Sequence, residues 1–155
     1  MECHLRYGIE SWGSACKTTL SPLHTLQKRA LRIMYHIPFR TSVSEIFSTA
    51  GLLTVYQIAF QQIAVMMHKI VYEKAQSTLN IIEYSKTSLT RANSGKQLII
   101  PKIKTDYGKR KTDYIGSKLW NNLDISVKTL NSQTPFKKAL KTYIISHDAS
   151  IYTFF

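Results

Sequence analysis

The chain has 155 residues, 44% of them hydrophobic, and 21 Lys and Arg against 9 Asp and Glu, a formal charge of +12. That length suits one domain with a real core and is short for two, and two cysteines, Cys3 and Cys16, exclude a disulfide framework. The charge favours a polyanionic partner, whose phosphates feel such a field over a Debye length of about 10 Å.

In chain order, the first residues, "MECHLRYGIESWG", lack the apolar run of a signal peptide. Ser21-Pro22 then predicts a helix start, with Ser as N-cap and Pro at the first helical position, where its missing N–H costs nothing. Leu23, Leu26, Ala30, Leu31, Met34 and Ile37 recur at helical spacing, with His24, Lys28, Arg29 and Arg32 largely off that stripe. Pro38 is the stop. A second unit begins near Ser42 or Ser44 and breaks at Gly51, and a longer helix runs from about Thr54 to Lys74. Its stripe is Tyr56, Ala59, Phe60, Ile63, Met66, Met67 and Ile70, with the methionines as core fillers. Gln57, Gln61, Gln62, His68 and Lys69 interrupt this most apolar part of the chain, so it is not a membrane span.

From about Gln76 the pattern changes to a Ser-, Thr- and Asn-rich linker or loop, with no acid from Tyr84 to Thr105. "QLIIPKIK" reads as a short strand that Pro101 confines to an edge, and "DYGKRK" as a turn in which Gly108 supplies the tight backbone. Two helical pieces close the chain: "YIGSKLWNNL", and "TPFKKALKTYII" with a second Thr-Pro start at Thr134-Pro135. The expected fold is mainly α: a small helical bundle over residues 1–75, a basic hairpin or irregular segment over 76–113, and C-terminal helices over 114–155 packing back on the bundle as one compact unit.

The positive charge is uneven. Residues 1–85 carry 8 basic and 5 acidic side chains, and residues 86–141 carry 13 and 3, which makes a patch rather than a uniform coat. The candidate nucleic-acid contacts are Arg91, Lys96, Lys102, Lys104, Lys109, Arg110 and Lys111, with Tyr107 and Tyr114 as surfaces on which unpaired bases stack. The competing reading is a charged hairpin with its Tyr residues turned into the core. Lys28, Arg29 and Arg32 form a second basic surface, for which a solvated helix face is the better reading.

Catalytic chemistry is missing. Two-metal phosphoryl transfer needs carboxylates that hold ions roughly 4 Å apart, whereas Asp106, Asp113, Asp124 and Asp148 are scattered. Cys3, His4, Cys16, His24 and His36 do not have the spacing of a zinc finger or knuckle, and no Gly-rich phosphate loop or nucleophile elbow occurs. No metal, cofactor or catalytic residue is assigned. Two cysteines in all suit a reducing, intracellular setting, the nucleus included.

Taken in order, several stretches resemble one family. They are Tyr-Gly-Ile-x-x-Trp-Gly at Tyr7 to Gly13, Leu-Gln-Lys-x-x-Leu-Arg at Leu26 to Arg32, His-Lys-Ile at His68 to Ile70, and Leu-Trp-Asn-x-Leu at Leu119 to Leu123. From Leu5 to Ile145 the chain resembles the C-terminal segment, thumb and beyond, of reverse transcriptases from non-LTR retrotransposons of the jockey or LINE type.

The resemblance implies a helical support for a template-primer channel, with endonuclease and polymerase domains lying upstream. It implies no catalytic position, because the palm motif has no counterpart, and the Cys-Cys-His-Cys knuckle of some relatives is missing too. Met1 falls almost inside an element, as in a chain cut from a longer reading frame. The implied partners are template RNA or target DNA and the upstream polymerase domains, with no membrane and no enzyme activity in this chain alone. The rival is a helical protein-interaction module, suggested by the broad stripe from Tyr56 to Ile70 and the apolar tail "SIYTFF".

Overall fold

The computed structural model describes residues 2–73 and 97–147, and the backbone alone at residues 2 and 3. Described residues form nine helices and no strand. They are α1 (Glu2–Arg6), α2 (Ile9–Trp12), α3 (Lys17–Met34), α4 (Ser44–Thr49), α5 (Val55–Tyr72), α6 (Asp106–Lys109), α7 (Thr112–Asn122), α8 (Ile125–Lys128) and α9 (Gln133–Ser146). The mainly α expectation holds.

Helix α5 is the axis of the molecule, contacting α1, α2, α3, α7 and α9. Its start is written locally: the Thr54 side chain accepts the Gln57 N–H at 3.4 Å while Gln57 Oε1 accepts the Thr54 N–H at 2.8 Å, a reciprocal capping box. Thirteen of its eighteen residues are buried, so it is enclosed nearly all round and is not a stripe facing one neighbour. Met67 is wholly buried, and Met66 and Ile70 are half-buried against the same cluster. The breadth of this stripe is therefore consumed within the chain, which removes it as a motive for a partner; the tail "SIYTFF" lies outside the described residues.

The main core joins Ile9, the inner residues of α5, Ile115, Leu119 and Trp120 of α7, and Phe136, Leu140 and Ile144 of α9. Trp120, Phe60 and Phe136 are its largest fully buried side chains, and burial of each contributes roughly 2–3 kcal/mol. Polar groups thread through it. The His68 ring, also fully buried, stacks on Phe136 with centroids 4.3 Å apart, and its Nε2–H donates to the Leu130 carbonyl at 2.7 Å. That bond sets the tautomer, since a carbonyl only accepts.

Helix α3 departs from the sequence expectation at its start and in its register. It begins at Lys17 with Cys16 as N-cap, leaving Pro22 inside, where it removes the N–H that would reach the Thr18 carbonyl. Its inward face is Leu20, Leu23, His24, Gln27 and Leu31, while Leu26 is 57% and Met34 62% exposed. The reason is a specific acceptor and donor opposite Gln27: its Nε2 donates to the Leu53 carbonyl at 2.8 Å and its Oε1 accepts the Val55 N–H at 3.0 Å. His24 also turns inward, its ring edge against Tyr56 at a centroid distance of 5.4 Å. In α9, by contrast, Pro135 is the third residue, still within the first turn, where no intrahelical donor is lost.

Helix ends follow local rules. Gly51 at φ 60 ends α4, with the Gly51 N–H on Ser48 O at 3.2 Å and the Leu52 N–H on Phe47 O at 2.9 Å, the paired bonds of a Schellman turn. Leu52 then packs on a second small cluster of Leu31, Val43 and Phe47.

Candidate nucleic-acid interface

The described part of the basic segment is held near its start by Asn121. Asn121 on α7 accepts the Leu98 N–H at 3.0 Å and donates its Nδ2 to the Leu98 carbonyl at 2.8 Å, satisfying both backbone groups of that residue. Residues 97–104 contain no helix and Leu98 sits at a single β-bridge, while residues 74–96, where the other arm of the expected hairpin would fall, lie outside the described residues. Lys102 and Lys104 point to solvent on either side of half-buried Ile103.

Where a turn was expected, Thr105 caps a helical turn instead. Its hydroxyl accepts the Gly108 N–H at 3.2 Å, and Asp106 stands in the first turn of α6, where a carboxylate complements the exposed N–H groups. Gly108 has no positive φ; a Cβ there would lie 2.3 Å from Ile103 Cγ2, so close packing under Ile103 is what demands glycine. One residue, Arg110, closes α6 and the next, Lys111, is the N-cap of α7, which leaves this basic pair at a corner between two helices.

Lys102, Lys104, Lys109, Arg110 and Lys111 are all exposed, and Tyr107 is 81% exposed. Asp106 binds Lys109 at 2.9 Å; the bond and charge of that ammonium hold the carboxyl below its usual range, and the carboxylate in turn raises Lys109. Among the described residues Lys102, Lys104, Arg110 and Lys111 have no ion-pair partner. Tyr114, the other expected stacking surface, is half-buried against the main core. Arg91 and Lys96 lie outside the described residues.

An open groove of about 670 Å³ lies beside this corner, between the N-terminal helices and the basic segment, with Trp12, Cys16, Tyr107, Arg110, Lys111 and Asp113 among its lining. Thr112 fastens its base by donating to the Glu10 carbonyl at 3.3 Å. The Cys16 thiol is pulled from 9.0 to about 6, first by the Thr18 hydroxyl, then by the Thr19 hydroxyl and N–H, with Arg110 adding positive charge. The groove lining is mixed in charge, with Asp113 and the lowered-pKa Cys16 thiol beside Arg110 and Lys111. Sequence reasoning weighed Cys16 only as a metal ligand; the signal it passed over is Cys followed by Thr at the second and third positions of a helix start. Among the described residues, no three His, Cys, Asp or Glu side chains are placed to hold a metal ion.

Other basic side chains serve the fold. Lys128 is 5% exposed and donates its Nζ to the Asn121 carbonyl at 2.8 Å, and burial lowers its pKa. Among the described residues, no helix is long and apolar enough to cross a membrane. No protein-family model matches this sequence, and no match is found among curated proteins or solved structures.

Proposed function

We propose that this chain is a piece of an RNA-directed DNA polymerase from a non-LTR mobile element of the jockey or LINE type, lacking the catalytic palm. In this reading it binds template RNA or target DNA beside the upstream polymerase domains. The ordered resemblance from Leu5 to Ile145 supports the family. The observation that carries the binding role is the run of exposed cations without ion-pair partners among the described residues, Lys102, Lys104, Arg110 and Lys111, next to an aromatic ring as exposed as that of Tyr107. Phosphates favour the first and an unpaired base the second.

The test is binding to fluorescent RNA and DNA across a salt series. Engagement of four phosphates gives a log-log slope of about −4 on duplex and about −3 on single strands. Neutralising Lys109, Arg110 and Lys111 to Gln together flattens that slope by about 2–3 on duplex. Tyr107→Ala weakens single-stranded probes by about 1–3 kcal/mol and leaves duplex binding unchanged. Affinity that ignores salt, or a triple variant that binds as wild type does, refutes the proposal. Template-dependent DNA synthesis by this polypeptide alone refutes the fragment reading.

A further inference from the structure

Exposed apolar side chains concentrate at the end of α3. Of the eleven large hydrophobic residues exposed among those described, five fall between residues 26 and 39: Leu26, Ile33, Met34, Tyr35 and Phe39. Ile33 is 75% and Phe39 77% exposed. They are held in a defined shape. Tyr35 closes the helix, His36 adopts φ 51, and the N–H groups of His36 and Ile37 bond Ile33 O at 3.4 Å and Arg32 O at 3.0 Å, reversing the chain. The reversal brings Ile37 and Phe39 back along the helix and opens a groove of about 480 Å³ lined by Arg29, Arg32, Ile33, His36, Ile37 and Phe39. The Arg32 guanidinium stands 5.5 Å from the centre of the Phe39 ring and donates to the Thr41 carbonyl at 3.4 Å, bracing the far wall.

Two features say what fits. His36 takes the left-handed conformation that ends the helix and places its imidazole on the rim of the groove. The charged side chains that line the groove are of one sign, Arg29 and Arg32, and Arg40 follows Phe39 in the chain. The lining sets the apolar Ile33, Ile37 and Phe39 beside the cations Arg29 and Arg32. What matches is an apolar side chain flanked by carboxylates.

We infer that this groove docks an acidic amphipathic helix of a partner protein. Its apolar side chain sits among Ile33, Ile37 and Phe39, and its carboxylates pair with Arg29, Arg32 and Arg40. The surface is separate from the basic segment at Lys102 to Lys111 and does not depend on that segment's function.

The experiment selects a displayed library of randomised helical peptides against the whole chain. Selected peptides are then titrated by fluorescence anisotropy against wild type, Ile33→Asp, and Arg29→Glu combined with Arg40→Glu. These three positions are exposed, so circular dichroism and melting should match wild type. The expected peptides are rich in Asp and Glu with apolar residues one helical turn apart, and each variant lowers their affinity about tenfold or more. Selected peptides without acidic bias, equal binding to Ile33→Asp, or no saturable binder at all overturns the inference. So does Ile33-dependent sedimentation with phosphatidylserine vesicles in the absence of peptide binding, which would make the patch a membrane contact.

Discussion

Replacing Gln27 by Ala tests the register of α3 directly, because sequence periodicity assigns Leu26 to the buried face and the structure assigns Gln27. The side chain is 6% exposed and makes two hydrogen bonds, to the Leu53 carbonyl and from the Val55 N–H. Val55 is the first residue of α5, so its N–H has no intrahelical acceptor, and the residue is fully buried. Truncation leaves that donor unsatisfied, which costs about 1–3 kcal/mol, and the lost bond to Leu53 adds about 1 kcal/mol. A total near 3 kcal/mol lowers Tm by about 6–12 °C in a chain of this size. Leu26→Ala removes a side chain that is 57% exposed and costs under about 1 kcal/mol. Urea and thermal melts monitored by circular dichroism measure both. If Leu26→Ala is the more damaging, or Gln27→Ala changes stability by less than about 0.5 kcal/mol, the register and the clamp on α5 are refuted.

Cys16 gives a pH dependence. With its thiol lowered to about 6, the thiolate forms as pH rises through that value, so iodoacetamide modification in a Cys3→Ser background climbs with a midpoint near 6. Thr18→Val moves the midpoint upward, and a wild-type midpoint near the ordinary thiol value contradicts the hydrogen-bonded geometry. Gly13 and Gly116 separate rigid from yielding neighbours. A Cβ at Gly13 would lie 2.5 Å from the Ile9 carbonyl oxygen and 2.8 Å from Ala59 Cβ, so Gly13→Ala destabilises by about 2 kcal/mol in urea titration. At Gly116 the obstacle is Met67 Sδ at 2.6 Å, a flexible side chain, and an Ala inside α7 gains about 1 kcal/mol of helix propensity, so Gly116→Ala stays within about 1 kcal/mol of wild type.

Much of the helical framework was legible because its signals are local. Thr54 and Gln57 announce the start of α5, Gly51 ends α4, and Pro38 follows the turn that ends α3; each acts through backbone bonds within a few residues, so no distant partner is needed. The exposure of Lys102, Lys104, Arg110 and Lys111 was legible for a similar reason, since charge stays in water unless something pairs with it.

What only the tertiary structure decided is which polar groups go inside and which apolar ones stay out. Gln27, Gln57, Gln61 and His68 are buried, and Leu26, Ile33 and Met34 are not. For Gln27 and His68 the reason is a specific partner from a remote part of the chain: Val55 lies 28 residues from Gln27, and Leu130 lies 62 from His68. The same holds for Asn121, which bonds the backbone of Leu98 from 23 residues away, and the turn expected at "DYGKRK" is instead the capped helical turn of α6. Composition and periodicity determine that this chain is helical and basic; long-range hydrogen bonds determine the faces it shows, because a buried polar atom is stable only where another element brings its complement.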